Sequence, residues 1–497
     1  IDKKLRYLIP FRSLDEIRAH FAKIESLGGS AILGDDGEKF GLWPGTHDWV
    51  YAKGWLRKFL EFIESGDSGV RTLTFSEYCD AVPPGGRAYL PPASYKEMME
   101  WALEPGAFDE FRALKEALAD GSEPSSLHSG HAEPGPSVRR FLRGGYFRDF
   151  FLKYPEVNHL HKRMLLVSRE IRKSGRREAL PDLYKGQCND PYWHGIFGGV
   201  YLPHLRESAY SHLLKAEDRV PLEPGWEETD FDLDGYKEII LRSKPFNAFF
   251  KPSYGGALTE LDYKPRSRNL SDVLARRRES YHRPSGGDAP GSSGGASIHE
   301  IAKKMPAGAE EILRYDWHPR YSLLDHFLRP DTTLEKFSRV DYGEQGDFVN
   351  QPFRRAREKG SLLLERDGHV WEGDERLAVT VRKKVTPVPK GLRIVYEIEN
   401  RSAAAVDMIF ASEWNFYLLE DEIEERDGVF HLLHGSLALA ASGAAELWRF
   451  PLRTLSQSEG GYDIIHQGFC LLPVWNFHMT GGGGTSFQME LKEMRGS

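Results

Sequence analysis

The apolar residues of this 497-residue chain change their spacing twice, and that change limits what it can fold into. Residues 5–11 (LRYLIPF), 30–33 (SAIL) and 70–75 (VRTLTF) are apolar runs of the length a buried strand needs. Helical patterns lie between them. Ser13 caps the first, with Glu16 three residues on as a capping box, and Leu14, Ile17, Phe21 and Ile24 form one apolar stripe. A second, around 54–65, buries Trp55, Phe59, Phe62 and Ile63. Such β/α steps predict a parallel sheet, open or closed into a barrel. From about 94 to 217 the helical period dominates, with helices expected near 94–103, 107–119, 138–152, 156–174 and 204–216. After about 229 the period becomes two. Strands are expected at 237–242, 248–251, 377–384, 392–399, 406–410 and 487–491, punctuated by Gly and Pro as in an antiparallel β-sandwich. The expected fold class is therefore α/β followed by all-β. Its domains are 1–93, a helical region 94–228 and a sandwich 229–497. Residues 121–137 read as a crossing loop and 283–297 as a flexible Gly/Ser/Pro-rich surface loop.

Composition removes several function classes. Basic and acidic residues number 66 and 74, a net charge of −8, which suits polyanions poorly and speaks against a nucleic-acid partner. Hydrophobic residues at 40% suffice for cores and exclude global disorder. No apolar run approaches the ~18 residues of a membrane helix. Cys79, Cys188 and Cys470 are too scattered for a disulfide framework or a zinc cluster, so a reducing cytoplasm is the expected location.

Three segments concentrate chemistry. The first, residues 34–45 (GDDGEKFGLWPG), follows an expected strand, where parallel α/β folds place their catalytic groups. Asp35, Asp36 and Glu38 repel one another when desolvated, which raises the pKa of one of them as a general acid requires. Trp43 offers a flat face for a sugar ring. The same residues also suit a solvated acidic turn. The second, residues 187–195 (QCNDPYWHG), brings Asn189, Asp190, Trp193 and His194 within a few positions, a set able to bind hydroxyls and stack on a sugar ring. It also suits a helix end with packed aromatics and a satisfied core histidine. The third, residues 230–238 (DFDLDGYKE), alternates Asp230, Asp232 and Asp234 before a glycine, with Glu238 following. Hard oxygen ligands in this pattern suit a structural Ca²⁺, with the Tyr236 backbone carbonyl as a further ligand. The loop is too short for an EF-hand, and an ordinary acidic turn is the alternative. His159 and His161 face different sides of a helix, which speaks against a metal pair. Glu413, Trp414 and Asn415 read as part of a sandwich strand. Trp101, in SYKEMMEWAL, is at least partly helix packing and also a candidate platform.

With these residues in view, the chain resembles glycoside hydrolase family 57, in its 4-α-glucanotransferase/α-amylase branch. GDDGEKFGLWPGTHDWVY, YLPPASYKEMMEWAL, HKRMLLVS, QCNDPYWHGIFGGVYLPHLR and TLSQSEGGYD carry the likeness. The resemblance implies a (β/α)7-type barrel, then a helical region and a C-terminal β-sandwich. It implies a retaining mechanism with a Glu nucleophile and an Asp acid/base. The family's D-G/A-E-x-F-G pattern matches Asp36-Gly37-Glu38-Lys39-Phe40-Gly41, so Asp36 is the implied acid/base and Asp35 the next choice. Trp43, Trp193 and His194 resemble donor-subsite residues. No Glu matches the nucleophile's pattern, which in the family lies upstream of anything equivalent to Ile1. The expectation is therefore a partial barrel holding roughly the last three strands, lacking its N-terminal segment and inactive alone. Its open edge would accept that segment or a second copy of the chain. The implied activity is 4-α-glucanotransfer between α-1,4-glucan donor and acceptor. α-Amylase-type hydrolysis and a non-catalytic carbohydrate-binding or structural module are the alternatives.

Overall fold

A computed structural model of the chain describes residues 3–43, 45–66, 68–89, 94–119, 142–195, 199–282, 305, 308–458 and 461–494. The expected loops at 121–137 and 283–297 lie outside the described residues. Contacts divide the chain into two units: 1–93 with 283–307 and 457–463, and 94–282 with 308–456 and 464–497.

Residues 1–93 of the first unit hold helices and no strand, which corrects the strand expectations there. The run 5–11 forms the helix Lys3–Leu8, extended by Ile9 N–H donating to the Leu5 carbonyl at 3.0 Å. A short apolar run fits either element. Here Leu5, Leu8 and Ile9 fall on one helical face and pack with Ile17, Phe21, Trp55 and Phe62. Residues 30–33 form no regular element, and Ile32 and Leu33 are exposed. The run 70–75 forms no strand: Thr74 caps the helix Phe75–Ala81 through a capping box with Glu77. Among the described residues of 1–93 there is no strand, so the expected β/α ladder is not formed there. The helix Leu14–Ser26 has the expected capping box: Glu16 N–H donates to Ser13 Oγ at 3.3 Å and Ser13 N–H to Glu16 Oε2 at 3.2 Å. The helix at 54–65 spans Trp55–Glu64.

The second unit joins helices to antiparallel sheets. Its longest helix, Pro155–Ser174, begins on a proline that needs no N–H partner and ends at Gly175 with φ +69°. Val157, Leu160, Val167 and Ile171 pack its inner stripe against Leu183, Ala209, Tyr210 and Leu213. A five-stranded antiparallel sheet follows, in the order Gly225–Thr229, Glu238–Arg242, Phe246–Lys251, Ala257–Tyr263 and Arg268–Asn269. Two more sheets face one another. The larger has eight strands, among them Ser361–Glu372, Glu375–Val388, Gly391–Asn400 and Gly484–Glu493. The smaller orders Glu446–Ser458, Gly461–Met479, Val406–Phe416 and Leu324–Leu328. Phe410 and Trp475 of the smaller meet Tyr396 and Phe487 of the larger at ring separations of 4.2–5.5 Å, including Trp475–Phe487 at 4.2 Å. No described helix is long and apolar enough to cross a membrane.

Buried charge ties the helices to the five-stranded sheet. Arg163 donates to both oxygens of Glu217 at 2.9 and 2.7 Å, to Glu260 Oε1 at 2.7 Å and to Asp262 Oδ2 at 3.3 Å. Arg242 and Asn247 also donate to Glu217, at 2.9 and 3.0 Å. Burial would raise the Glu217 carboxyl, but Arg163 and Arg242 hold it down at about 2 against an ordinary 4.5. Burial and the Glu260 charge push Asp262 well above its ordinary range.

A depressed carboxyl contributes stability that is complete above its unfolded pKa. The contribution of Glu217 should thus be lost as pH falls from about 4.5 through 2, where the unfolded chain takes up the proton first. Glu217→Gln leaves two buried guanidiniums short of a counter-charge and should cost about 3–5 kcal/mol at pH 7. It should also flatten the acid slope of urea-unfolding stability. A variant that unfolds like the parent with the same slope would remove Glu217 from this role.

Candidate functional site

In the first unit the loop after residue 33 separates its two aspartates. Asp35 is 4% exposed, with Lys39 Nζ at 2.6 Å and Arg6 Nε at 3.4 Å from Oδ1, which also accepts the Asp36 N–H at 3.0 Å. The cause is local: Gly37–Phe40 is a single 3₁₀ turn that carries Lys39 back over Asp35. The Lys39 ammonium also donates to the Arg6 carbonyl at 3.1 Å and lies 5.4 Å from the Trp43 ring and 5.7 Å from Phe11. Burial lowers its pKa, against the pull of Asp35. Asp36 differs. Its side chain is 52% exposed, and Arg6 Nη2 makes a loose 3.7 Å contact with it. Glu38 is exposed. Trp43 is 8% exposed and stacks on Phe11 at 5.8 Å, so its ring packs the loop where the sequence suggested an open platform.

In the second unit the segment 187–195 turns through the short helix Asp190–Tyr192. Trp193 stacks on Trp101 at 5.9 Å and 8° between planes, and its Nε1 donates to Asn189 Oδ1 at 3.0 Å. Gly195 is needed there, since a Cβ would lie 2.4 Å from the Trp101 ring. Asp190 accepts from the Cys188 thiol at 3.3 Å. His194 is 2% exposed, with Nε2 2.8 Å from the Tyr281 hydroxyl and its ring 4.5 Å from Tyr201. The structure thus brings Trp101, Asn189 and Trp193 together and inserts His194 among tyrosines.

Beside them lies a carboxylate that sequence reasoning missed. Glu279 is buried, accepting from Tyr154 and Tyr201 hydroxyls at 2.6 and 2.9 Å, with Lys153 Nζ at 2.9 Å. Burial would raise its pKa, but Lys153, His194 and these hydrogen bonds hold it below the ordinary value. Its one signal was a lone acid inside a basic run, RRRESYH.

The acidic loop 230–238 is knitted by its own backbone. Asp232 accepts from Asp234 N–H, Asp230 from Gly235 N–H and Asp234 from Tyr236 N–H, at 2.8–3.2 Å. Asp230, Asp232 and Glu238 offer oxygens within 4.8 Å of one another, and Asp230 Oδ1 is buried without a hydrogen-bond partner. That fits a cation. A protein cation is already there: Lys251 Nζ meets Asp232, Asp234 and Glu238 at 2.5, 2.6 and 3.2 Å. Burial, more than Lys251 can offset, lifts Glu238 to about 7. The loop borders a cavity of about 220 Å³ lined also by Asn158, His159, Phe231 and Tyr321.

Family models match in three stretches: Glycosyl hydrolase family 57 over 1–91, the alpha-amylase/4-alpha-glucanotransferase middle domain over 145–220, and its C-terminal domain over 230–436 and 429–489. The 4-alpha-glucanotransferase of Thermococcus litoralis is 40% identical over 483 residues, covering 94% of this chain and 70% of that protein. The chain belongs to glycoside hydrolase family 57. An alpha-amylase of Pyrococcus furiosus is also 40% identical, over 482 residues, with 94% and 69% covered. The crystal structure of the Thermococcus litoralis 4-alpha-glucanotransferase matches with a TM-score of 0.84 at 36% identity, covering 99% of this chain and 72% of that one. Family 57 relatives of this chain thus carry both transferase and amylase names, on a scaffold of helices and antiparallel sheets.

Proposed function

We propose that this family 57 chain belongs to a retaining 4-α-glucanotransferase acting on α-1,4-glucans, with Asp36 as its acid/base. Two things support the reading: the transferase relatives at about 40% identity and the division between the two aspartates. A group that gives and retakes a proton needs access to substrate, and Asp36 is 52% exposed where Asp35 is 4% exposed and ion-paired. In the first step Asp36 protonates the leaving glycosidic oxygen. In the second it takes the proton from the incoming 4-hydroxyl. A retaining pair sits about 5–5.5 Å apart, and the partner carboxylate is assigned to no residue here. In this reading Glu38 is the first-unit substrate residue; Asp35, which the sequence offered for that role, is held by Lys39 and braces the loop with Trp43. Trp101, Asn189, Asp190, Trp193 and His194 are its second-unit glucan residues, the indoles for sugar faces and the amide and carboxylate for hydroxyls. α-Amylase-type hydrolysis is the second reading, favoured by the amylase relatives. The cytoplasm is the proposed site of action, which three free cysteines suit.

The loop 230–238 takes a structural Ca²⁺ in the same proposal. Asp230, Asp232, Asp234 and Glu238 supply carboxylates and Tyr236 its backbone carbonyl, with the Lys251 ammonium moving aside. Ca²⁺ added after chelation should raise the melting temperature, by an amount equivalent to about 2.7 kcal/mol at a hundredfold excess over Kd. Asp232→Ala should abolish the rise. No Ca²⁺-dependent shift in the parent would leave Lys251 as the loop's counter-ion.

For the acid/base, Asp36→Asn in the complete gene product should lower transfer by about 100–10,000-fold. A donor with a good leaving group should restore the first step, because it needs little protonation. Asp35→Asn should show no such rescue. Rescue in Asp35→Asn and not in Asp36→Asn would move the assignment by one residue.

A further inference from the structure

The strand Val406–Phe416 buries Trp414 in the core between the facing sheets and carries Glu413 and Asn415 on its other side. Glu413 there meets two histidines. His326 lies on the neighbouring strand Leu324–Leu328, opposite Ala411, and His318 comes from the segment leading into it. His326 Nε2 is 2.9 Å and His318 Nε2 3.6 Å from the same oxygen, Glu413 Oε2. All three side chains are 0–1% exposed, and their ligand atoms lie within 4.8 Å of one another.

The far side of each ring fixes where its proton sits. His318 Nδ1 is 3.0 Å from the Pro319 carbonyl, which only accepts, so Nδ1 carries the proton and Nε2 a lone pair when the ring is neutral. His326 Nδ1 is 2.7 Å from Glu344 Oε2. The other Glu344 oxygen accepts the N–H groups of Phe327 and Gly346 at 2.8 and 3.1 Å, as an ionised carboxylate does. His326 therefore also donates from Nδ1. With both rings neutral, two imidazole lone pairs and a carboxylate oxygen then lie within 4.8 Å of one another. A proton on His326 Nε2 would settle one of these contacts. A bound cation settles all three.

The surroundings are those of a metal site. Each histidine is oriented by an acceptor on its remote nitrogen, the arrangement that holds metal-ligating imidazoles. The Glu413 oxygen away from the convergence point is held by Arg320 at 2.8 Å and Asn415 at 2.6 Å. Separations of 2.9 and 3.6 Å bracket the tetrahedral edge of about 3.3 Å expected for zinc bonds near 2.0 Å. Two imidazoles with one carboxylate suit a borderline ion such as Zn²⁺ rather than Ca²⁺. We infer that His318, His326 and Glu413 form a binding site for a divalent transition-metal ion of the zinc class. The ion pins the segment holding His318 and the strand holding His326 onto the Glu413 strand, leaving a fourth position for water.

The test uses Co²⁺ as a spectroscopic probe of the whole chain stripped by a chelator. Co²⁺ should bind at a single equivalent with the intense visible absorption of a tetrahedral site, and Zn²⁺ should displace it. His318→Asn and Glu413→Gln, checked for folding by circular dichroism, should abolish the absorption. Glu344→Gln, which loosens the orientation of His326, should weaken affinity by about 10–100-fold. Asp232→Ala, which alters the acidic loop alone, should leave the signal intact. A parent protein that develops no such absorption, or an absorption that survives His318→Asn, overturns the site and leaves a protonated His326 bridging Glu344 and Glu413.

Discussion

Arg163 has no access to water, and the second unit is arranged around that fact. A buried guanidinium is tolerable only where carboxylates meet it with good geometry. Its helix supplies the cation, the helix Pro203–Glu217 supplies Glu217, and the strand Ala257–Tyr263 supplies Glu260 and Asp262. Phe249 on the adjacent strand lies under the guanidinium at 5.0 Å. A shift of any of these elements by one residue would leave a charge alone, so the ion cluster sets their register where apolar packing would permit several. The pattern continues outward as Arg206–Asp272, Arg268–Glu422 and the run Arg276–Asp316–Arg320–Glu413. The histidine cluster on Glu413 stands at the end of that run.

The same rule divides Asp35 from Asp36 in the first unit. Lys39 sits in an apolar setting beside Phe11 and Trp43 and needs one close anion. The 3₁₀ turn that delivers it can reach Asp35 but turns Asp36 outward. One carboxylate is thereby committed to holding the loop, and its neighbour is left half-exposed. Mutual repulsion between acids, the cue available in sequence, matters less here than the lysine four residues on.

Elements with a long period or an explicit cap were legible in sequence. Ser13 with Glu16, the stripe of Pro155–Ser174 and the alternation in Gly391–Asn400 and Gly484–Glu493 need only local chemistry. The short runs at 5–11 and 70–75 were not, because an apolar run of that length becomes a strand only if a neighbour supplies the ladder. The candidate residues divide in the same way, by whether their partners are local. Asp36 and Trp193 stand in dense local motifs. Lys251, which answers the acidic loop, comes from a strand beyond the loop. Glu279 meets Tyr154 from 125 residues away, and His326 meets Glu413 from 87. Pairs so separated leave no spacing to read.

Transfer, as distinct from hydrolysis, is decided by whether a second glucan or water takes the glucosyl group. The most direct measurement is the product mixture formed from maltotriose by the complete gene product, resolved by mass spectrometry over time. Glucanotransfer predicts oligosaccharides longer than maltotriose from the earliest time points. A mixture confined throughout to glucose and maltose would contradict it.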